Sequence, residues 1–443
     1  MAHARTHSPP ALPDGTAFVD AFIIDINGIP RGKRLATAAW AGASGVAFSA
    51  SALVLDARGM SQGPLGLGTL DGNPDAIALP VPGMVQPVPW AGESVAQCLL
   101  SMRGDDDAAL WYDPREVLRR VVARCRADGL FPVLSCELEF YLIGADAAGR
   151  SAPLTESQAG LVRPAAGHLG LQAIEDHGVF LHRLHAALAA QGIASDGMVA
   201  EYGPGQFELT VPHSPDPVLV ADRAVLQRRA TLGVAASMGL RASFMAKPFA
   251  QKAGSGLHVH VSLVDEAGRN RFGAPGGEAL LHAAVAGLQA LHAPCMAVFA
   301  PSFSAYRRYR PGEFVALSSA WGLDNRSVAF RIPRGPDAAR RIEHRVAAAD
   351  ASPHLVVAAI LAGLHHGITR NLRPTPPSRG SADAEPDPSL PRDLVSALRV
   401  FEADTVLNRY LPDRFAAMVC ALKRAELDDL FAAVQPVEHD FYL

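Results

Sequence analysis

The chain has 443 residues, 49% of them hydrophobic and 19% charged, with a net charge of −4. That length exceeds one ordinary domain and can bury a sizeable core, and the small, mixed charge excludes the basic stripe that nucleic acid or an anionic membrane surface requires. Five scattered cysteines (Cys98, Cys125, Cys136, Cys295, Cys420), with no Cys-x-x-Cys pair, read as reduced thiols of a cytoplasmic protein.

Residues 1–16 are polar and contain prolines without an apolar core, which predicts a mobile arm and not a signal peptide. Over 17–110, short apolar runs alternate with turn signals, and Asn27-Gly28 predicts a tight hairpin, so a small β-rich domain is expected. Asp113 followed by Pro114, with Val117, Leu118, Val121 and Val122 at helical spacing, predicts a capped helix that opens a second domain over 111–443. Strand patterns at 132–143, 205–211, 257–264 and 327–332 mix with helical runs at 179–191, 217–238 and 278–290. That order gives an α+β fold and not a repeating βα one. The apolar run 354–368 is too short to span a bilayer, and 373–391 has the proline density of an exposed loop.

Side chains at i and i+2 of a strand share a face. Glu137 and Glu139 do so, His258 and His260 do so, Arg341, Glu343 and Arg345 do so, and Glu201 and Glu208 flank a Gly-Pro-Gly bend. Singly, each pair has the bland reading of a solvated sheet face, a hydrogen-bonded core histidine or a structural ion pair. Jointly, five carboxylates and two imidazoles on such segments predict an oxygen-rich site for Mg²⁺ or Mn²⁺. Arginines cluster nearby in sequence: Arg307, Arg308, Arg310, Arg326, Arg331, Arg334, Arg340 and Arg341. Guanidinium groups beside such a site suit phosphate and carboxylate, with Arg307, Arg334 and Arg340 read as surface residues. No glycine-rich phosphate loop is present, so a nucleotide has to be held by metals and arginines.

Five segments, in this order, resemble the glutamine synthetase superfamily: Glu137-Leu-Glu139-Phe, Glu201-x-x-Pro-Gly-Gln-x-Glu208, Gly254-Ser-Gly-Leu-His258-x-His260-x-Ser262, Asn325-Arg326-Ser-x-x-x-Arg331-Ile-Pro and Arg341-Ile-Glu343-x-Arg345. The resemblance implies an N-terminal β-grasp domain and a larger catalytic domain with a curved antiparallel sheet and helices. It implies one metal site at Glu139, Glu201 and Glu208 and another at Glu137, His258 and Glu343, for two or three Mg²⁺ or Mn²⁺ ions per active site. Glutamate would be bound by Arg308, Arg345 and the Gly254 backbone, and ATP phosphates by His260, Ser262, Arg326, Arg331 and Arg341. A homododecamer of two hexameric rings, with active sites between neighbouring subunits, is also implied.

Departures from that pattern carry information. Where ammonia-using members have a glutamate after Arg308-x-x-Pro-Gly312, this chain has Phe314, with Glu313 one place before it; the position before Gly254 is Ala253. Ile26-Asn-Gly-x-x-Arg31-Gly-Lys-Arg34, Trp321-Gly-Leu-Asp-Asn-Arg-Ser and the terminal Glu438-x-x-x-Tyr-Leu resemble the γ-glutamylpolyamine and γ-glutamyl-monoamine synthetase branch. The expected activity is ATP-dependent ligation of the glutamate γ-carboxylate to an organic amine through a γ-glutamyl phosphate. An ammonia-using glutamine synthetase, a non-enzymatic structural member and a two-metal amidohydrolase are the alternatives. Asp56 is a candidate base for the amine, supplied by a neighbouring subunit, or else a turn aspartate.

Overall fold

The hairpin at Asn27-Gly28 opens the fold: β1 (Phe18–Ile24) turns back antiparallel into β2 (Pro30–Ala36), with Gly28 at a φ of 74°. In the computed structural model, residues 9–442 are described except 105–107, 146–148, 156–166 and 385. β3 (Val46–Ser49), β4 (Asp75–Pro87) and β5 (Val95–Arg103) complete a five-stranded sheet in the order β2-β1-β5-β4-β3, in which β1 and β5 run parallel. The first eight residues of the expected mobile arm lie outside the described residues. The rest of it is anchored, since the Trp40 indole donates to the Pro10 carbonyl and Thr16 bonds back to Pro13.

The helix Pro114–Ala127 begins where the sequence puts it, with the Asp113 carboxylate capping the Arg115 amide. Beyond it lies a nine-stranded sheet. Its strands are β6 (Phe131–Ala145), β7 (Ser151–Pro153), β8 (Met198–Ala200), β9 (Gln206–Ser214), β10 (Arg241–Ser243), β11 (Leu257–Val264), β12 (Trp321–Leu323), β13 (Phe330–Ile332) and β14 (Ile342–His344). The path is β12-β13-β14-β11-β6-β9-β8, with β7 and β10 also paired to β6. Leu138, Phe140, Leu209, Val211, Val259 and Val261 are fully buried on one face. The helix Pro217–Ser237 packs on β6 and β9.

The helices Gly277–Ala290 and Pro353–Thr369 cross at a pair of glycines. A Cβ on Gly287 would stand 2.0 Å from the Gly363 carbonyl oxygen, and one on Gly367 would stand 2.0 Å from that of Ala283. The first sheet and its hairpin turn are tied to helices of the rest of the chain by Arg229 on Pro217–Ser237, which donates to Asp20 at 2.6 Å and to Gln97 at 2.8 Å, and by Lys423 on Phe415–Ala432, which donates to Asn27 at 2.6 Å. Among the described residues, no single helix is long and apolar enough to cross a membrane.

Among its described residues, the proline-rich segment 373–391 forms no strand or α-helix, yet it is fixed along the second sheet. Thr375 accepts from the Trp321 indole, Ser378 donates to the Trp321 carbonyl, Gly380 accepts from Asn325, and Asp387 donates to Leu317. The glycine crossing yields a stability prediction: Gly287→Ala should cost about 1–3 kcal/mol by overpacking. An unchanged urea midpoint would contradict that packing.

Candidate active site

Strand register assembles the site. Glu137 on β6 faces His258 on β11 and Thr210 on β9; Glu139 faces Glu208; His260 faces Glu343, which in turn faces Arg331 on β13. Because alternate residues share a face, one side of this sheet collects carboxylates and imidazoles while the other holds the apolar core. Glu201 joins from the bend between β8 and β9.

Among the described residues, ligand atoms within 4.8 Å of one another occur in three groups: Glu139, Glu201 and Glu208; Glu137, Glu208 and His258; and Glu137, His260 and Glu343. The first is the trio expected from the sequence. The second expected trio is divided: His258 groups with Glu208, and Glu343 groups with His260, a residue expected to face phosphates. Strand pairing explains this, because His260 and Glu343 are cross-strand partners on β11 and β14.

Crowded carboxylates repel, and the charges around each one decide its state. Burial disfavours the Glu137 anion, but hydrogen bonds from His258 and His260 hold its carboxyl well below the usual range. For Glu343 burial is again opposed, here by Arg345, His260 and His258, which bring its pKa to about 2. Its oxygens accept from Arg345 at 2.5 Å and from Arg331 at 2.6 Å. At the other end burial and like charges outweigh the pull of His258 and Arg345. Burial, then the charge of Glu139, pushes Glu201 up to about 7, and burial with Glu137, Glu139, Glu201 and Glu343 pushes Glu208 up to about 10. A divalent cation among these oxygens would replace those protons, and a donor set of carboxylates with an occasional imidazole fits Mg²⁺ or Mn²⁺.

Around the carboxylates stand the arginines. Arg308 is 2% exposed and donates to the Val346 carbonyl, with its chain against Gly254: a Cβ there would meet Arg308 Cγ at 2.5 Å. Arg345 is buried beside Glu343, and the Nε atoms of Arg308, Arg331 and Arg345 are buried without a hydrogen-bond partner. Arg341 donates from Nε to His260 Nδ1 at 2.9 Å, so His260 presents its Nε2 proton to Glu137 at 2.8 Å. Ser262 is buried further along β11 on the same face. Arg326 is not brought into the cluster. It is exposed on the wall of a 530 Å³ cavity with Asp324, Asn325 and Ser378, and Arg331 links that wall to the cluster by donating to Asp324 at 2.6 Å.

Asp56 stands apart from these groups. It is fully buried and accepts from the Arg58 and Met60 amides and from the Arg58 and Gln62 side chains. Burial opposes its ionisation, but Gln62, the Met60 amide and Arg58 bring its pKa to about 2. A carboxylate so occupied organises a turn within its own chain.

Several site residues escaped the sequence reading. Gln206, 2% exposed, donates to the Gly254 carbonyl at 3.0 Å and to Glu139 at 3.4 Å; its position two residues before Glu208 on one strand face was the available signal. The Gly256 amide donates to Glu139 at 2.8 Å, and the Tyr141 hydroxyl to the Ala253 carbonyl at 2.8 Å. At the rim, Phe314 stacks on Tyr202 with ring centroids 5.7 Å apart, and Tyr202 on His168 at 4.3 Å. Ala316 and Trp321 are buried, and the Trp321 indole donates to the Thr375 carbonyl.

Residues 111–442 match the family described as the glutamine synthetase catalytic domain. The chain belongs to the glutamine synthetase family. Within it, the chain is 36% identical over 417 residues to γ-glutamylputrescine synthetase PuuA of Escherichia coli strain K12, covering 93% of this chain and 88% of that one. It is 29% identical to a glutamate–isopropylamine ligase of a Pseudomonas species, over 91% of this chain and 90% of the other. Among solved structures, ligand-free GmaS superposes with a TM-score of 0.82 at 27% identity, covering 97% of both chains. As a glutamine synthetase family member, the chain is a carbon–nitrogen ligase.

The raised carboxyls set a pH dependence. A carboxyl whose folded pKa exceeds its unfolded value of 4.5 costs stability as pH rises above 4.5, here toward about 7 for Glu201 and about 10 for Glu208. Cation binding has to displace those protons. The rise in melting temperature on adding Mn²⁺ or Mg²⁺ should therefore be larger at about pH 8 than at about pH 6. A shift independent of pH would place the cations elsewhere.

Proposed function

We propose that the chain joins the γ-carboxylate of glutamate to an organic primary amine at the expense of ATP, through a γ-glutamyl phosphate. The observation that carries the choice of amine is the rim: Phe314, 49% exposed, stacks on Tyr202, so an aromatic face and not a carboxylate lies at the position after Glu313.

A carboxylate is a poor electrophile, and ATP has to convert it to an acyl phosphate before an amine can attack. Arg308, Arg345 and the Gly254 backbone are assigned to glutamate, and the buried, unpartnered Nε–H groups of Arg308 and Arg345 suit a carboxylate. His260, Ser262, Arg331 and Arg341 are assigned to the phosphates; Arg326 would join by turning in from its cavity wall. Two or three Mg²⁺ or Mn²⁺ ions, when bound at Glu137, Glu139, Glu201, Glu208, His258 and Glu343, neutralise the phosphate and γ-carboxylate oxygens. The carboxylate oxygen takes the γ-phosphoryl group and ADP leaves. The neutral amine then attacks the carbonyl carbon, the C–O bond to phosphate breaks, and the amine loses a proton. The free, buried cysteines fit a reducing cytoplasm, and family membership supports an assembly of two hexameric rings.

Glu139→Ala should lower amine-dependent phosphate release by at least about 100-fold, because it removes a ligand oxygen from the cation site, while far-UV circular dichroism stays unchanged. Near wild-type turnover at ordinary Mg²⁺ would sink the metal assignment.

Amine choice follows from the aromatic rim. Covering three or four methylenes at about 0.8 kcal/mol each gives an alkyl amine on the order of 2–3 kcal/mol over ammonia, or roughly 30- to 150-fold in kcat/KM. In a panel of amines with glutamate, ATP and Mg²⁺, an organic primary amine should outperform ammonium by at least about tenfold, and Phe314→Glu should narrow the gap. Ammonium as the best substrate would return the chain to the ammonia-using reading.

A further inference from the structure

Lys247 follows β10 closely, and its side chain is 1% exposed. A buried ammonium needs its charge matched. It donates to the Lys252 carbonyl at 2.6 Å and to the Glu313 carboxylate at 2.5 Å. Its neighbour Ala246 accepts from the Ser255 amide, and a Cβ on Gly254 would stand 2.9 Å from that same Ala246 oxygen. The segment that carries Lys247 therefore also backs Gly254, and the ion pair ties it to the loop bearing Glu313 and Phe314.

That loop has an unusual backbone. Phe314 has a φ of 52°, in the left-handed region that a bulky side chain rarely adopts and that its surroundings have to hold. Lys247 holds the loop through Glu313, and Asp383 holds it by accepting from the Gly312 amide at 3.2 Å. The two adjacent side chains diverge as a result. Glu313 turns to Lys247, while the Phe314 ring lies on Tyr202, which lies on His168, whose Nδ1 is 3.5 Å from Glu201.

We propose that Lys247 determines amine specificity: it supplies from within the chain the ammonium that Glu313 would otherwise take from solution, leaving the His168–Tyr202–Phe314 stack to receive the amine. This rests on the ligase reading above. A tethered ammonium is present at an effective concentration that a free ion does not reach, and burial strengthens the pair. Glu313 is thereby kept from attracting a small cation. The exposed aromatic faces attract an alkylammonium and cover its methylenes. The substrate class selected is a primary amine with an alkyl chain. Lys247 is a positioning residue that acts through Glu313 and Phe314.

The test is phosphate release with ammonium and with the best alkylamine of the panel, at saturating ATP and glutamate. Lys247→Met should raise the ammonium-to-alkylamine ratio of kcat/KM at least about tenfold, Lys247→Arg should keep it within about threefold of wild type, and adding Glu313→Gln to Lys247→Met should bring it back. Should Lys247→Met fail to fold, Glu313→Gln alone is read: the unmatched ammonium should raise KM for the alkylamine at least about fivefold, with kcat within about twofold and KM for ATP unchanged. Equal loss with both amines, a double variant that keeps the altered ratio, or an unchanged alkylamine KM in Glu313→Gln overturns the proposal. A wild-type protein that releases no phosphate with any amine defeats the ligase reading itself, and this inference with it.

Discussion

Like charges on one face of a sheet are the constraint from which the rest of the structure follows. Glu137, Glu139, Glu208 and Glu343 sit on neighbouring strands, and Glu201 stands at the bend beside them. The chain balances only part of that charge itself. At the β11–β14 side, His258, His260, Arg331 and Arg345 keep Glu137 and Glu343 ionised. At the β8–β9 side, burial and neighbouring carboxylates outweigh the pull of His258 and Arg345 on Glu201, and the pKa values of Glu201 and Glu208 rise. The site is therefore polarised along the sheet, and its deficit of positive charge marks where external cations are most needed.

Such an arrangement has to be held rigidly, because carboxylates on mobile loops would move apart and take up water. The opposite face of the same strands does this, with Leu138, Phe140, Leu209 and Val259 fully buried. A side chain anchored on a packed strand keeps its place when the charge around it changes, which is what preorganised stabilisation of a phosphoryl group requires. The missing phosphate loop fits the same logic: Arg331 spans from Glu343 to Asp324, so the guanidinium groups, and not backbone amides, reach from the cluster to the adjoining cavity.

Much of this was legible in local sequence. The i, i+2 pairs on β6 and β11, the hairpin at Asn27-Gly28 and the capped helix at Asp113 are all written in spacing of two or four residues, and the structure has each of them. The errors have physical causes. The run 327–332 reads as one strand, but Asn325 caps the Ser327 amide in a turn and only Phe330–Ile332 pairs. The pairing of His260 with Glu343 depends on the register between β11 and β14, which no local pattern records. The Lys247–Glu313 contact joins two loops far apart in the chain, each of which reads alone as a single surface charge. Asp56 could not be assigned from composition, because a turn aspartate and a general base differ only in which donors fold around them.

The proline-rich segment along the second sheet has one more consequence. Anchored to Trp321, Gln289, Asn325, Ser327 and Leu317, it supplies Pro377, Ser378, Arg379 and Gly380 to the cavity that Arg326 also lines. A free segment of that length would lose conformational entropy each time a molecule settled against it. Here the loss has already been taken during folding, so a guest in that cavity meets a wall that need not be ordered again, and little of its contact energy is diverted to arranging its host.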